Sequence, residues 1–157
     1  MKQTPQELLV TQRMQPGVIT LSGFLGIDQR PLNEIIADDA QTLLRLDITA
    51  PEIAERMQYL TDQSQQAYEG GIIIDGSYEV ETEITRGKLP CPFLHRGLQR
   101  KTVTTCTHLT TGITIRWTAL NIHMIKEHGF FEGKGSPFRL EPGTLIKVLF
   151  PDAAHRS

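Results

Sequence analysis

The chain has 157 residues, a length typical of one domain, and its 16 Lys and Arg side chains nearly balance its 18 Asp and Glu side chains. The formal net charge of −2 is not typical of a histone-like or tail-driven nucleic-acid binder. Apolar runs are short, as in Ile72-Ile73-Ile74, which excludes a membrane-spanning helix. The first residues lack the apolar core of a secretory signal, so we expect a cytoplasmic protein whose Cys91 and Cys106 are reduced thiols.

The charges are divided unevenly along the chain. From Asp28 to Glu83 there are 13 acidic and 3 basic side chains, a net of −10, whereas Arg86 to Lys126 carries 7 basic side chains and no acidic ones. Within the one predicted domain we therefore distinguish an acidic, mainly helical part, 1–70, from a basic, mainly β part with C-terminal helices, 72–150. The tail, 151–157, is expected to be disordered.

Two amphipathic helices are predicted in the acidic part. The first begins at Pro31, because proline suits the first turn of a helix. Its apolar side chains recur at steps of three and four, at Leu32, Ile35, Ile36, Ala40, Leu43 and Leu44. Its outer face is predicted to be acidic, at Glu34, Asp38 and Asp39. The second helix begins at a capping box, in which Thr49 and Glu52 satisfy each other's free backbone donors, and ends at Gly70-Gly71. A short strand is expected at Val18-Ile19-Thr20-Leu21.

The pattern changes to alternation after residue 71, which predicts two hairpins. Asp75-Gly76 supplies the two positive φ angles of a type I′ turn between Ile72–Asp75 and Ser77–Thr85. The second hairpin spans Lys101–Ala119 with a three-residue loop, Thr110-Thr111-Gly112, and this loop pairs residue 107 with 115 and 105 with 117. In that register the apolar side chains of the second hairpin share one face, at Val103, Leu109, Ile113, Ile115 and Trp117.

Two further helices are predicted after the sheet. The first covers Leu120–His128 and ends at Gly129, and the second covers Pro142–Phe150, where apolar residues recur at helical spacing. A glycine-rich loop, Gly129–Arg139, connects them. Helices followed by hairpins predict an α+β fold, with N-terminal helices packed on an antiparallel sheet.

Both cysteines and four histidines lie between residues 91 and 128, which favours a metal centre. Thiolate and imidazole are ligands that zinc prefers, and the candidate ligands are Cys91, His95, His123 and His128. Because His123 and His128 are five residues apart, about 140° around a helix, we expect the helix to end between them if both bind one ion. The alternatives are a structural histidine at His123, or a general base at His123 that Glu127, one turn away, would orient.

Cys106 is a second reactive candidate. The predicted register places its thiol opposite Arg116 and beside His108, and both groups would lower the pKa of the thiol. The alternative is a small side chain on a solvated sheet face. The chain has no Gly-x-Ser-x-Gly, Cys-x-x-Cys or His-Glu-x-x-His motif, so these familiar hydrolase and redox chemistries lack support.

The glycine-rich loop predicts an anion site. Glycines allow backbone amides to approach a ligand, and the polar side chains that would hold the anion are Lys134, Ser136 and Arg139, with Arg116 from the second hairpin. The alternative is an ordered loop that its phenylalanines attach to the core.

The acid-free segment has two interpretations. Its cations would bind nucleic acid, with Phe93, His95 and Trp117 as stacking platforms, or they would pair with the acidic half or across a homodimer interface. The cations are Arg86, Lys88, Arg96, Arg100, Lys101, Arg116 and Lys126.

The preferred functional hypothesis is a site for a small anionic metabolite built from the second hairpin, the 120–128 helix and the 129–139 loop. The alternatives are an interaction module with a structural Cys/His zinc site and, third, nucleic-acid binding. The residues do not distinguish catalysis from binding alone.

Overall fold

The computed structural model describes residues 3–67 and 70–152, and the last five residues of the expected tail lie outside these ranges. The described residues form an α+β fold, as predicted. The helices are α1 Pro5–Arg13, α2 Leu32–Leu46, α3 Ala50–Ser64, α4 Ala119–His128 and α5 Pro142–Leu149. The strands are β1 Ile72–Ile74, β2 Tyr78–Pro90, β3 Leu98–His108 and β4 Thr114–Thr118. They form one antiparallel sheet in the order β1-β2-β3-β4. None of the helices within these residues is long and apolar enough to cross a membrane.

The ends of the helices follow from local capping. Thr4 caps α1 through a capping box with Glu7, a helix that the sequence analysis missed although Thr-Pro-x-Glu signals it. In α3 the Thr49 hydroxyl accepts from the Glu52 amide, but the Glu52 carboxylate accepts from that hydroxyl rather than from the Thr49 backbone. The prediction that α3 continues to Gly70-Gly71 was wrong, since the helix ends at Ser64.

Two other local predictions are corrected. Val18–Leu21 is not a strand, because the Gly17 amide donates to the Thr20 carbonyl and closes a turn there. Asp39 is not on an exposed acidic face. Its side chain is 9% exposed and forms a two-pronged ion pair with Arg139, at 2.6 and 2.9 Å.

The first hairpin forms as predicted, with positive φ at both Asp75 and Gly76. The second differs from the prediction by one residue, pairing Thr107 with Thr114 and Cys106 with Ile115. Its loop has four residues rather than three, because the Gly112 amide donates to the His108 carbonyl and the His108 amide donates to the Ile113 carbonyl.

A one-residue slip moves every side chain of a strand to the other face. The buried face of β3 is therefore Thr104, Cys106 and His108, whereas Leu109 is exposed. Trp117 lies in the core as expected, and its indole nitrogen donates to the hydroxyl of Thr61 on α3 at 2.8 Å. The same hydroxyl lies 3.2 Å from that of Thr104, so a buried polar link joins α3 to the sheet.

The core has two parts. The larger lies between the buried sheet face and helices α3, α4 and α5. The smaller part also includes Cys91. Its other members include Val10, Met14, Leu32, Ile35, Leu120, Met124 and Phe130. Strands β2 and β3 extend past β1 and β4, and residues 84–90 and 98–102 form a two-stranded ribbon. A turn at 91–97 joins the two strands of this ribbon beside α4.

Candidate metal centre

The turn at 91–97 brings Cys91 and His95 to the C-terminal half of α4. Arg13 anchors this turn, because its guanidinium donates to the carbonyls of Cys91 at 2.9 Å and of Pro92 at 3.1 Å. Helix α4 continues through His128 and ends at Gly129, which has the left-handed conformation of a helix cap. The helix thus ends at Gly129 as predicted, and no break separates His123 from His128.

The imidazoles of His123 and His128 nevertheless lie close together. Their ring centroids are 5.7 Å apart, and the His95 ring lies 4.9 Å from that of His123 and 5.4 Å from that of His128. Phe93 stacks on His128 with 4.1 Å between centroids, which fixes the plane of that imidazole. The turn thus places a third ring between the two helix histidines.

The donor atoms of Cys91, His123 and His128 all lie within 4.8 Å of one another. Cys91 Sγ is 3.6 Å from His128 Nε2, and His95 Nδ1 is 3.0 Å from His123 Nε2. We call these four residues the Cys/His cluster. Cys91 is buried, His123 and His128 are half-buried, and His95 is exposed, so the cluster opens to solvent on one side.

Burial sets the protonation of the cluster. It lowers the pKa of His123, and the neighbouring His95 lowers it further. Burial, followed by the charges of His123 and His95, lowers the pKa of His128 in the same way. Burial raises the pKa of the Cys91 thiol, an effect opposed by the amides of Phe93 and His95. His123 and His128 are therefore neutral at neutral pH, which is the form that binds metals.

The acid-base pair expected at His123 and Glu127 is not assembled. His123 Nε2 faces His95, and no hydrogen bond joins the His123 ring to Glu127 within the described residues. The Glu127 carboxylate raises the pKa of His123, but burial and His95 have larger influences in the opposite direction. Glu127 itself is exposed.

The reactive-thiol prediction for Cys106 was wrong. In the observed register its thiol lies opposite Ile115 instead of Arg116, and it is fully buried in the larger core. Burial raises the pKa of Cys106 to about 12, so the thiolate is not available at neutral pH.

Two of the loop side chains predicted to hold an anion, those of Ser136 and Arg139, are already bonded within the protein. Ser136 donates to the carboxylate of Glu132, and Arg139 pairs with Asp39 and Glu141. Lys134 is exposed, but its backbone amide donates to Asp28 at 3.2 Å. Arg116 lies over the ring of Phe138, 5.3 Å from its centroid.

The loop glycines pack against a second loop. A Cβ atom at Gly133 would overlap the backbone of Leu25, and one at Gly26 would overlap the backbone of Ser136. The Ile27 amide donates to the Lys134 carbonyl at 2.9 Å. Glycine is therefore required here for close approach of two backbones.

Glu132 is a buried group that the sequence analysis missed. Its carboxylate accepts from Asn121 and Ser136, its φ is +68°, and burial raises its pKa to about 7. The sequence signal for this buried carboxylate was the position of Glu132 between Phe130-Phe131 and Gly133.

The seven cations of the acid-free segment are exposed, and no ion pair among residues 3–67 and 70–152 joins them to the acidic half. The expected stacking platforms are occupied, because Phe93 stacks on His128, His95 faces His123 and Trp117 is buried.

Comparison of the chain with protein-family models, with curated proteins and with solved structures finds no match in any of the three. The functional argument therefore rests on the side chains themselves, and the Cys/His cluster is the group whose members converge.

Proposed function

We propose that Cys91, His95, His123 and His128 bind one zinc ion. The observation that carries this proposal is the convergence of Cys91 from the 91–97 turn with His123 and His128 from α4, whose donor atoms all lie within 4.8 Å of one another, while His95 Nδ1 lies 3.0 Å from His123 Nε2. Thiolate and neutral imidazole are the donor set that zinc prefers, and burial keeps His123 and His128 in the neutral form that binds zinc.

The spacing of the donors supports tetrahedral coordination. With zinc about 2.3 Å from sulfur and about 2.05 Å from nitrogen, the edges of a tetrahedron are about 3.6 Å for S to N and about 3.3 Å for N to N. Cys91 Sγ lies 3.6 Å from His128 Nε2, and His95 Nδ1 lies 3.0 Å from His123 Nε2. These two pairs therefore need little movement to receive an ion.

The proposed role is structural. Four protein ligands leave no coordination position for a reacting water, which is the arrangement of structural rather than catalytic zinc. The ion would tie the turn at 91–97, and with it the basic ribbon, to the end of α4. This is the interaction-module hypothesis of the sequence analysis. Binding of nucleic acid or of a second copy by the exposed ribbon stays a prediction.

Elemental analysis of the untagged protein, purified without chelator, tests the proposal. We expect one zinc per chain after dialysis. In competition with a zinc-sensitive dye, Cys91→Ser and His123→Ala should each weaken zinc binding more than about 100-fold, because loss of a ligand costs more than loss of an outer-shell contact. Cys106→Ala removes the other thiol and should leave the affinity unchanged. Absence of stoichiometric zinc, or equal losses in the three variants, would contradict the proposal.

A further inference from the structure

A cavity of about 300 Å³ lies next to the start of α4. Its walls are the segment 20–24, the ribbon strands, the beginning of α4 and the glycine-rich loop. No member of the Cys/His cluster is among its described lining residues, so the cavity is separate from the proposed zinc centre. Its volume is at the lower end of the range of about 300 to 1,000 Å³ found for ligand sites.

The cavity is apolar inside and positive at its edge. Its buried lining includes Phe24 and Leu120, together with the side chains of Thr102 and Glu132. Its exposed lining includes Arg100 and Lys101. An apolar interior with cations at the mouth is complementary to a ligand that has an apolar body and one anionic group.

The two cations at the mouth are not neutralised by neighbours. Ion pairs among the described residues join Arg30, Arg56 and Arg139 to carboxylates, and neither Arg100 nor Lys101 takes part in one. The surrounding segment, 86–126, contains no acidic residue. Because consecutive strand residues point to opposite faces, an anionic group at the mouth would meet one of these two available cations.

The buried polar groups of the cavity need no hydrogen bond from a ligand. Both carboxylate oxygens of Glu132 are hydrogen-bonded, one to Asn121 and the other to Ser136. Every buried side-chain nitrogen or oxygen in the described residues has a hydrogen-bond partner. An apolar group can thus enter without leaving a polar atom unpaired, which would otherwise cost free energy.

We propose that this cavity binds a small amphipathic anion, in which an apolar chain or ring occupies the interior and a carboxylate or phosphate contacts Arg100 or Lys101. The site uses the second hairpin, α4 and the glycine-rich loop, but its anion-binding residues differ from those predicted from the sequence. It is independent of the zinc proposal.

Calorimetric titration of the wild-type protein with octanoate, octyl phosphate, octanol and octylamine tests this inference. At least one of the two anions should bind, and it should bind about tenfold or more tightly than octanol and octylamine, because only the anions meet a cation at the mouth favourably. Comparison of octanoate with octyl phosphate identifies the preferred head group. Absence of binding by both anions, or equal binding of octylamine, would overturn the proposal.

Two charge-reversal variants locate the head group. Arg100→Glu with Lys101→Glu should weaken binding of the anion about tenfold or more, whereas Arg45→Glu with Lys147→Glu, the same charge change at exposed positions outside the cavity, should change it less than about threefold. Val103→Phe fills the cavity and should weaken binding while the melting temperature shows that the fold is retained. Equal losses in the two charge variants would contradict a specific head-group contact.

Discussion

The Cys/His cluster and the glycine-rich loop both carry the residue types of a binding site, but they differ in how their polar groups are bonded within the protein. In the cluster, the donor atoms of a thiol and two imidazoles from two elements lie within 4.8 Å of one another, and a third imidazole, that of His95, contacts His123. In the loop, the serine, the arginine and a backbone amide each donate to a carboxylate of the same protein. Residue type therefore identifies candidates, but only groups that the fold has not already bonded are available to a ligand.

The largest expected effect concerns the cluster. At a free zinc concentration about 1,000 times the dissociation constant, zinc should raise the free energy of unfolding by about 4 kcal/mol, because the assembled site exists only in the folded chain. Thermal unfolding with zinc, and after addition of a chelator, measures this difference. Calcium should have no effect, since it prefers oxygen ligands. Equal stabilisation of His123→Ala by zinc would show that the cluster is not the site.

The next effect tests the internal bonding of the loop. Asp39→Asn should lower the free energy of unfolding by about 3 to 4 kcal/mol, because it leaves the buried guanidinium of Arg139 without its main partner. Asp38→Asn, next in the chain, affects an exposed pair with Arg30 and should cost less than about 1 kcal/mol. Urea unfolding of both variants makes the comparison, and similar losses would contradict the structural role of the Asp39 pair.

The raised pKa of the buried Glu132 carboxylate should make the stability of the protein depend on pH. Its folded-state pKa of about 7 is above its ordinary value of 4.5, so the folded protein holds a proton that the unfolded chain releases between these values. The contribution of Glu132 to stability should therefore fall by up to about 3 kcal/mol as pH rises from about 5 to about 8.

Urea unfolding across this pH range measures the effect. Glu132→Gln should remove it and gain stability relative to wild type as pH rises, while Glu127→Gln, at an exposed position, should follow the wild type. A constant difference between wild type and Glu132→Gln at all pH values would show that Glu132 does not titrate as described.

The smallest effect tests the close approach of the two loops. Gly26→Ala and Gly112→Ala both place a side chain at a positive φ, +57° and +73°, but only the first would overlap neighbouring backbone. Gly26→Ala should therefore cost about 2 kcal/mol more than Gly112→Ala. Equal costs in chemical unfolding would mean that the glycine serves the local conformation alone.

The parts of the fold that local pattern determines were predictable. The spacing of apolar residues indicated α2 and α3, and Asp75-Gly76 indicated the first hairpin. The register of the second hairpin was not predictable from glycine position, because the loop is closed by backbone hydrogen bonds between His108 and its partners Gly112 and Ile113.

The candidate sites, like the fold, were predictable from the sequence only in part. The four metal donors were selected from their density in the sequence, but their convergence depends on how the turn at 91–97 lies against α4. The packing and hydrogen bonding of the glycine-rich loop could not be predicted, since its partners Gly26, Asp28 and Asp39 lie about a hundred residues earlier in the chain.

Cobalt(II) substitution tests the central claim most directly, because its absorption spectrum reports both the ligands and the geometry of a zinc site. We predict strong visible bands of four-coordinate cobalt and a near-ultraviolet thiolate-to-cobalt band in the wild-type protein and in Cys106→Ala. Cys91→Ser should lose the thiolate band. A weak spectrum typical of six-coordinate cobalt, or a thiolate band that persists in Cys91→Ser, would contradict the proposed centre.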